Sequence, residues 1–456
     1  MDHRKGSKDL SRRDFLKTTA AAGLGLASAS VLGDLKHLAY AEQGKPKRGG
    51  DLIVAIEAQP GTLDPTSFLF EIQQYVEHNL YNGLIIEDID LYEKTGEAKL
   101  KGELVESWGH EDGGKTWVLK LRKGIKFHDG SLLTAKGVKS EIDFANSQQA
   151  YYFINREMWK FMTSTEAPDD HTFIARFSRP WRFERTLISY KDFLLYSAAA
   201  REKFGISPKS QSHRQPVGTG PFKFVEWITD KHIKLVRNED YWEEGLPYLD
   251  SITFRIMPDP QSRILALQTG EIDMIMKTPY EFIPAFEANP NYKVVSSKYS
   301  DHLNYIWITD EDPRLKIKEV RQALALYGVD REEVTKIGLL GRAKPSTSLI
   351  AAHLPYYEPW GHIKYDPEKA KQLLKDSGIT DFHFKIIVHT ADPNLYKEAL
   401  VIQQQWKKIG VTTDVQQVDL GTMVGLGFAR KVPITVWQWL STRSDPIQDY
   451  NWLRSD

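Results

Sequence analysis

The sequence predicts a mixed α/β protein built in more than one lobe, and three observations carry that prediction. Its 456 residues exceed what a single hydrophobic core ordinarily organises. Trp117, Leu119 and Leu121 alternate with Val118, Lys120 and Arg122 behind the turn Asp112-Gly113-Gly114-Lys115, the pattern of a half-buried strand in an antiparallel meander. Toward the C-terminal end a strand, a helix and a second strand follow one another, which demands a parallel pair with a right-handed crossover.

The elements run in this order. Ser11-Arg12-Arg13-Asp14-Phe15-Leu16-Lys17 has the full S-R-R-x-F-L-K form of a twin-arginine export signal. The uncharged stretch Thr18 to Gly33 that follows has 16 residues, short of the ~20 apolar ones that span a bilayer. Ala39-Tyr40-Ala41 supplies a small-x-small cleavage pattern, so the expected signal peptide is residues 1–41 and the mature chain starts at Glu42 with no cysteine there to carry a lipid anchor. Twin-arginine substrates cross the membrane folded, and the expected location is the periplasm.

Asp51 to Ala55 reads as the first strand, and the two prolines of Gln59-Pro60-Gly61-Thr62-Leu63-Asp64-Pro65 stiffen the loop behind it. Asp330 opens a helix with Glu333 placed to complete a capping box. Asp366-Pro367 opens another, with Ala370, Leu373 and Leu374 as its apolar face and Gly378 as its stop. Phe382, Phe384, Ile386 and Val388 alternate as a strand. Asp392-Pro393 then caps a helix whose stripe is Leu395, Ala399, Ile402, Trp406 and Ile409, Gly410 ends it, and Val411 to Val418 is again a strand. Lobes of this kind hold ligands at strand ends.

Composition removes several functions. The 60 Lys and Arg against 61 Asp and Glu leave a net charge of −1, and loss of residues 1–41 leaves 53 against 57, so no global field favours a nucleic acid. With 27% charged and 41% hydrophobic residues the chain is neither disordered nor a multispan membrane protein. The absence of cysteine excludes disulfides, thiolate metal sites and cysteine nucleophiles. Twelve Trp, 20 Tyr and 20 Phe are available for cores or for a ligand cleft, with core packing as the default.

A search for chemistry finds no assignable catalytic, cofactor or metal residues. Gly109 to Thr116 satisfies G-x-x-x-x-G-K-[ST], but a strand follows it where a phosphate loop needs a helix, and Glu111 and Asp112 would oppose a polyanion, so a hairpin turn is expected. The 13 histidines are scattered; His383 and His389 share a strand parity but lie six residues apart, and a surface position is expected for them. Asp169-Asp170 and Glu243-Glu244 read as solvated faces, and Gly218-Thr219-Gly220-Pro221 meets a proline instead of opening a helix. In an extended Trp437-Gln438-Trp439 the two rings share a side, just before the turn Ser441 to Pro446; core packing and ligand contact both fit.

Taken together, ordered segments resemble the bacterial extracellular solute-binding proteins of family 5, the substrate-binding subunits of peptide, opine and nickel ABC importers. They are Gly49-Gly50-Asp51-Leu52, Pro60 to Pro65, Leu104 to Trp108, Leu121 to Gly130, Pro216 to Phe222, Asn238 to Trp242, Gly270 to Asp273, Val320 to Leu324 and Ser444-Asp445-Pro446.

The resemblance implies a two-lobed, periplasmic-binding-protein-like type II fold. Lobe I would hold residues 42–297 with an insertion subdomain at about 75–210, lobe II would run from 298 to 456, and a hinge would lie near 295–303. It implies a receptor that closes on a peptide-like or other small solute and hands it to an inner-membrane permease driven by separate ATPase subunits, with no catalytic residues. Ser67, Phe68 and Phe70 match the ligand loop of lobe I. The segment before the Asp445-Pro446 turn matches the wall of lobe II and puts Trp439 and Thr442 at ligand-facing positions; Trp437, on the same side of the strand as Trp439, and Arg443, which suits a carboxylate, join them as candidates. Thr442 stands where peptide-binding relatives carry the aspartate that pairs with the peptide amine, which removes that partner. Relatives run several dozen residues past the Asp445-Pro446 turn, so lobe II is expected to be incomplete. An exported hydrolase on the same scaffold, or a solute receptor for signalling, are the competing readings.

Overall fold

The structure is a computed structural model. It describes residues 46–66, 71–97, 99–147, 161–188, 193–205, 211–297, 300, 302–352, 354, 357–359, 361, 363–428 and 431–440. The expected export signal lies outside the described residues.

The first lobe is built on strand β1, Asp51–Ile56, as expected for the start of the chain. A ribbon of β2 (Ile85–Glu87) and β3 (Leu100–Gly102) follows, then β4 (Val105–Glu111), β5 (Thr116–Leu121), β6 (Met162–Asp169) and β7 (Thr172–Phe177). The last four form an antiparallel sheet in the order β4-β5-β7-β6, which corrects the expected meander: the sheet is antiparallel as predicted, but β7 pairs with β5 and leaves β6 at the edge, so consecutive strands are not all neighbours. Trp117, Leu119 and Leu121 point into its core while Lys120 is exposed. The phosphate-loop look-alike is the β4–β5 hairpin: Asp112, Gly113 and Gly114 all have positive φ, and the chain runs directly into β5.

The chain then returns to β1 through β8 (Phe222–Ile228), β9 (His232–Arg237), β10 (Ser251–Ile256) and β11 (Met274–Ile275), giving the order β11-β1-β10-β9-β8. β1 lies parallel to both β10 and β11. Gly218 and Gly220 explain the glycines that carried no chemistry. A Cβ on Gly220 would sit 2.4 Å from the carbonyl carbon of Leu80, and one on Gly218 would sit 2.2 Å from the Leu80 oxygen, so only glycine lets these backbones touch.

The second lobe has strands β12 (His302–Ile308), β13 (His383–His389), β14 (Thr412–Val418) and β15 (Ile434–Leu440) in the order β12-β15-β13-β14. β13 and β14 are parallel over their whole length and joined by helix Pro393–Lys408, which is the predicted crossover unit. Leu395, Ala399, Ile402 and Trp406 are buried along that helix, and the Trp406 indole donates to the Leu324 carbonyl at 3.1 Å.

One local expectation changes. Asp330 does cap its helix, accepting from the Glu333 amide at 3.1 Å, but the reciprocal arm of the capping box is replaced by a residue from the crossover helix. Gln405 accepts from the Asp330 N–H at 3.0 Å and donates to Glu333 at 2.7 Å, so a tertiary contact satisfies the amide that a local one was expected to satisfy.

Candidate functional site

The turn that precedes the expected ligand loop is held from below. Asp64 accepts from the Thr66 amide at 3.0 Å and from the Thr66 hydroxyl at 2.6 Å. Arg201 then grips Asp64 with two N–H groups, at 2.9 and 3.1 Å, while its Nε donates to Glu141 at 2.8 Å. Burial pushes Asp64 up, but the Arg201 guanidinium more than offsets it and holds the carboxyl below its ordinary range. Glu141 is pushed up to about 7 by burial, which Arg201 only partly counters. Ser67, Phe68 and Phe70 themselves lie outside the described residues.

Polar side chains from both lobes meet where strands end. β1 delivers Glu57, helix Glu71–Leu80 delivers Glu71 and Tyr75, and the first turn of helix Pro260–Thr269 delivers Arg263. Lys277 follows β11 with a positive φ of 51°. From the second lobe β12 brings His302 and Asn304, β13 ends on His389, Asp392 caps the crossover helix, and β15 brings Trp437 and Gln438. Lys277 ties the two sides together: its ammonium lies 2.6 Å from Glu71 and donates to Gln438 at 3.0 Å. Gln438 donates to Asn304 at 3.2 Å, and Asn304 donates to Glu398. His302 approaches the same Glu71 oxygen at 3.6 Å.

Three groups inside this junction are buried and incompletely paired. Glu57 is 2% exposed, Arg263 0% and His389 6%. Arg263 spends Nη1 on the carbonyls of Met257 and Pro258, at 2.7 and 3.0 Å, which fixes the guanidinium. Its Nε and Nη2, Oε2 of Glu57 and Nδ1 of His389 have no hydrogen-bond partner among the described residues. Burial pushes Glu57 up to about 7 against the pull of Lys277, and takes His389 down to about 4, so that imidazole is neutral. For Glu71 burial acts upward, yet Lys277 and His302 outweigh it and keep the carboxylate charged. Burial lowers Lys277, and Glu71, Asp392 and Glu57 together more than restore it.

His389 corrects the expectation of a surface histidine. The strand ends inside the junction, where the imidazole meets the Trp437 ring edge-on with centroids 6.2 Å apart. His383, at the other end of the strand, is exposed as expected and hydrogen-bonds Thr412 and Asp414. Trp437 is half-buried beside this junction. The Trp439 backbone pairs with Leu303, and its side chain, like Thr442 and Arg443, lies outside the described residues.

Sequence reading missed Glu57, Arg263, Lys277 and the site role of His389 and Asp392. Charged residues mostly stay exposed, so none of these was a site candidate by type; the available signal was position, because Glu57 and His389 end core strands. Asp169, Asp170, Glu243 and Glu244 are exposed, as expected. Among the described residues no cluster of three or more His, Asp or Glu side chains forms a metal-binding group, and no helix is long and apolar enough to cross a membrane.

Residues 99–456 match the family model of bacterial extracellular solute-binding proteins, family 5, and residues 9–29 match the twin-arginine signal sequence. The glutathione-binding protein GsiB of Shigella dysenteriae is 32% identical over 375 residues, which cover 81% of this chain and 70% of that protein. Among solved structures, the oligopeptide-binding protein AppA of Bacillus subtilis, in complex with a nonapeptide, superposes with a TM-score of 0.76 at 27% identity, covering 88% of this chain and 81% of AppA. The ABC transporter substrate-binding protein CtaP of Listeria monocytogenes gives 0.72 at 28% identity, covering 90% and 82%.

Proposed function

The chain belongs to the bacterial extracellular solute-binding proteins of family 5, exported to the periplasm by a twin-arginine signal, and from that premise we propose that it captures a peptide-like solute between its lobes for delivery to an inner-membrane permease. The observation that carries this reading is the junction itself: buried polar groups converge there from strand ends of both lobes, some with hydrogen-bonding capacity unused. Peptide-like compounds come first because GsiB binds glutathione and AppA holds a nonapeptide. The solute is delivered unchanged, as befits a binding protein of this family. Ser67, Phe68, Phe70, Trp437, Trp439, Thr442 and Arg443 line the rest of the pocket.

Lobe I comprises residues 42–297, with its insertion at about 75–210, and lobe II starts at 298, the lobes bending near 295–303. One observation favours a second bending point. Glu281 pairs with Lys397 at 2.7 Å and Glu287 with Arg342 at 3.0 Å, which ties 280–288 to the second lobe and favours a further bend just past Met276, where backbone bonding to β1 ends. A solute that prefers the closed form by ~2–3 kcal/mol shifts the open–closed ratio tens of fold. The test is thermal shift and tryptophan emission with a library of peptides, opines, sugars and small anions. At least one member should raise the melting temperature; a folded protein that responds to none refutes the reading, and turnover of a bound member revives the hydrolase.

A further inference from the structure

The unused hydrogen-bonding atoms of the junction form a pattern. Arg263 is fixed by two backbone carbonyls through Nη1, and what remains is the Nε/Nη2 edge, two parallel donors in the fork that matches a carboxylate. Lys277, the neighbouring cation, is already engaged by Glu71 and Gln438. The electrostatic surroundings of Arg263 are acidic: Glu57, Asp259 and Asp392 all act on it. Asp392 accepts from the Asn394 amide at 2.9 Å, whereas Glu57 keeps Oε2 without a partner among the described residues.

We propose that Arg263 and Glu57 together read a zwitterionic head group, the Arg263 fork taking a carboxylate and Glu57 an ammonium of the same solute. This rests on the solute-binding reading above and specifies it. A bare carboxylate would satisfy Arg263 but be driven against Glu57 and Asp392 in a buried site, and a bare ammonium would leave two buried N–H groups unpaired. A sugar hydroxyl could occupy either group but would bring no charge to match the Arg263 fork or Glu57. Only a head group with both signs meets both walls. Neutral His389 leaves a donor or acceptor beside them for a neighbouring amide.

The experiment is calorimetric titration of the intact protein with dialanine and trialanine, each also as its C-terminal amide and its N-acetyl form, with glutathione, glucose, inositol and acetate alongside. At least one zwitterion should bind, its amide and its acetylated form each on the order of 100-fold more weakly. Arg263→Gln should lose a similar factor for the zwitterion while its affinity for the amide changes less than about threefold, and Glu57→Gln should behave the same way toward the N-acetyl form. Melting curves establish that each variant is folded. If Arg263→Gln does not fold, Glu57→Gln with the acetylated series decides alone. Binding confined to uncharged or purely anionic members, or variants that discriminate as the wild type does, would overturn the zwitterion assignment and leave the solute-binding reading standing. No binding by any member of this panel or the wider library would remove that reading as well.

Discussion

Replacing Arg201 with methionine removes one cation from between two carboxylates that have no other route to water. The Arg201 side chain is 6% exposed, Asp64 5% and Glu141 1%. Breaking such a pair by deleting one partner costs about 3–5 kcal/mol, because the remaining charges stay buried and uncompensated. In a unit of 150–250 residues each kcal/mol moves the midpoint by about 2–4 °C, so Arg201→Met should lower the melting temperature of the first lobe by about 6–20 °C. Differential scanning calorimetry at pH 7 measures this directly. The triple variant Arg201→Met, Asp64→Asn, Glu141→Gln should recover most of the loss, since it removes the stranded charges with their partner. Acidification gives a second signature with a definite sign. Asp64 is held low in the folded state, so its contribution is present above the unfolded pKa near 3.8 and disappears as pH falls through the folded value. Glu141 is raised to about 7, so its ionisation opposes folding increasingly from its unfolded value near 4.5 up through about 7. A single variant that melts within about 2 °C of the wild type would refute the account of this clamp.

Gly220→Ala should depress the melting temperature strongly, because its Cβ would meet backbone atoms at 2.4–2.7 Å, whereas Gly109→Ala, with nothing within 4 Å, should be neutral; thermal melts of the pair check it. Lys277→Met strips the shared cation from Glu71 and Glu57, so the closed form should lose about 2–4 kcal/mol relative to the open one, visible as a larger radius of gyration in small-angle scattering. Burial raises Glu398 to about 8 despite the Asn304 hydrogen bond, so its ionisation opposes folding increasingly from its unfolded value near 4.5 up through about 8. Glu398→Gln should therefore stabilise the protein at pH 9 and change little at pH 4, read from urea midpoints.

Residue patterns reached some features of this molecule and not others, for reasons that differ by length scale. The helix Pro393–Lys408 was legible because its stripe and its Asp392-Pro393 start are local, and the parallel pairing of its flanking strands followed from one crossover. The hairpin hidden in a phosphate-loop pattern was legible because two physical requirements failed within eight residues. Gln405 in place of the Glu333 capping arm was not, since that bond spans 75 residues.

The sequence by itself determined the export route, the family, the mixed α/β architecture and the absence of any thiol chemistry, because signal motifs, periodicities and composition are properties of the chain read in order. Only the tertiary structure decided which charges matter. Glu57, Arg263, Lys277 and His389 come from separate strands and helices of two lobes, and nothing in their types distinguishes them from solvated residues. What sets Glu57, Arg263 and His389 apart is burial: removed from water, each must find a partner or be left to receive one, and that accounting exists only once the chain has folded.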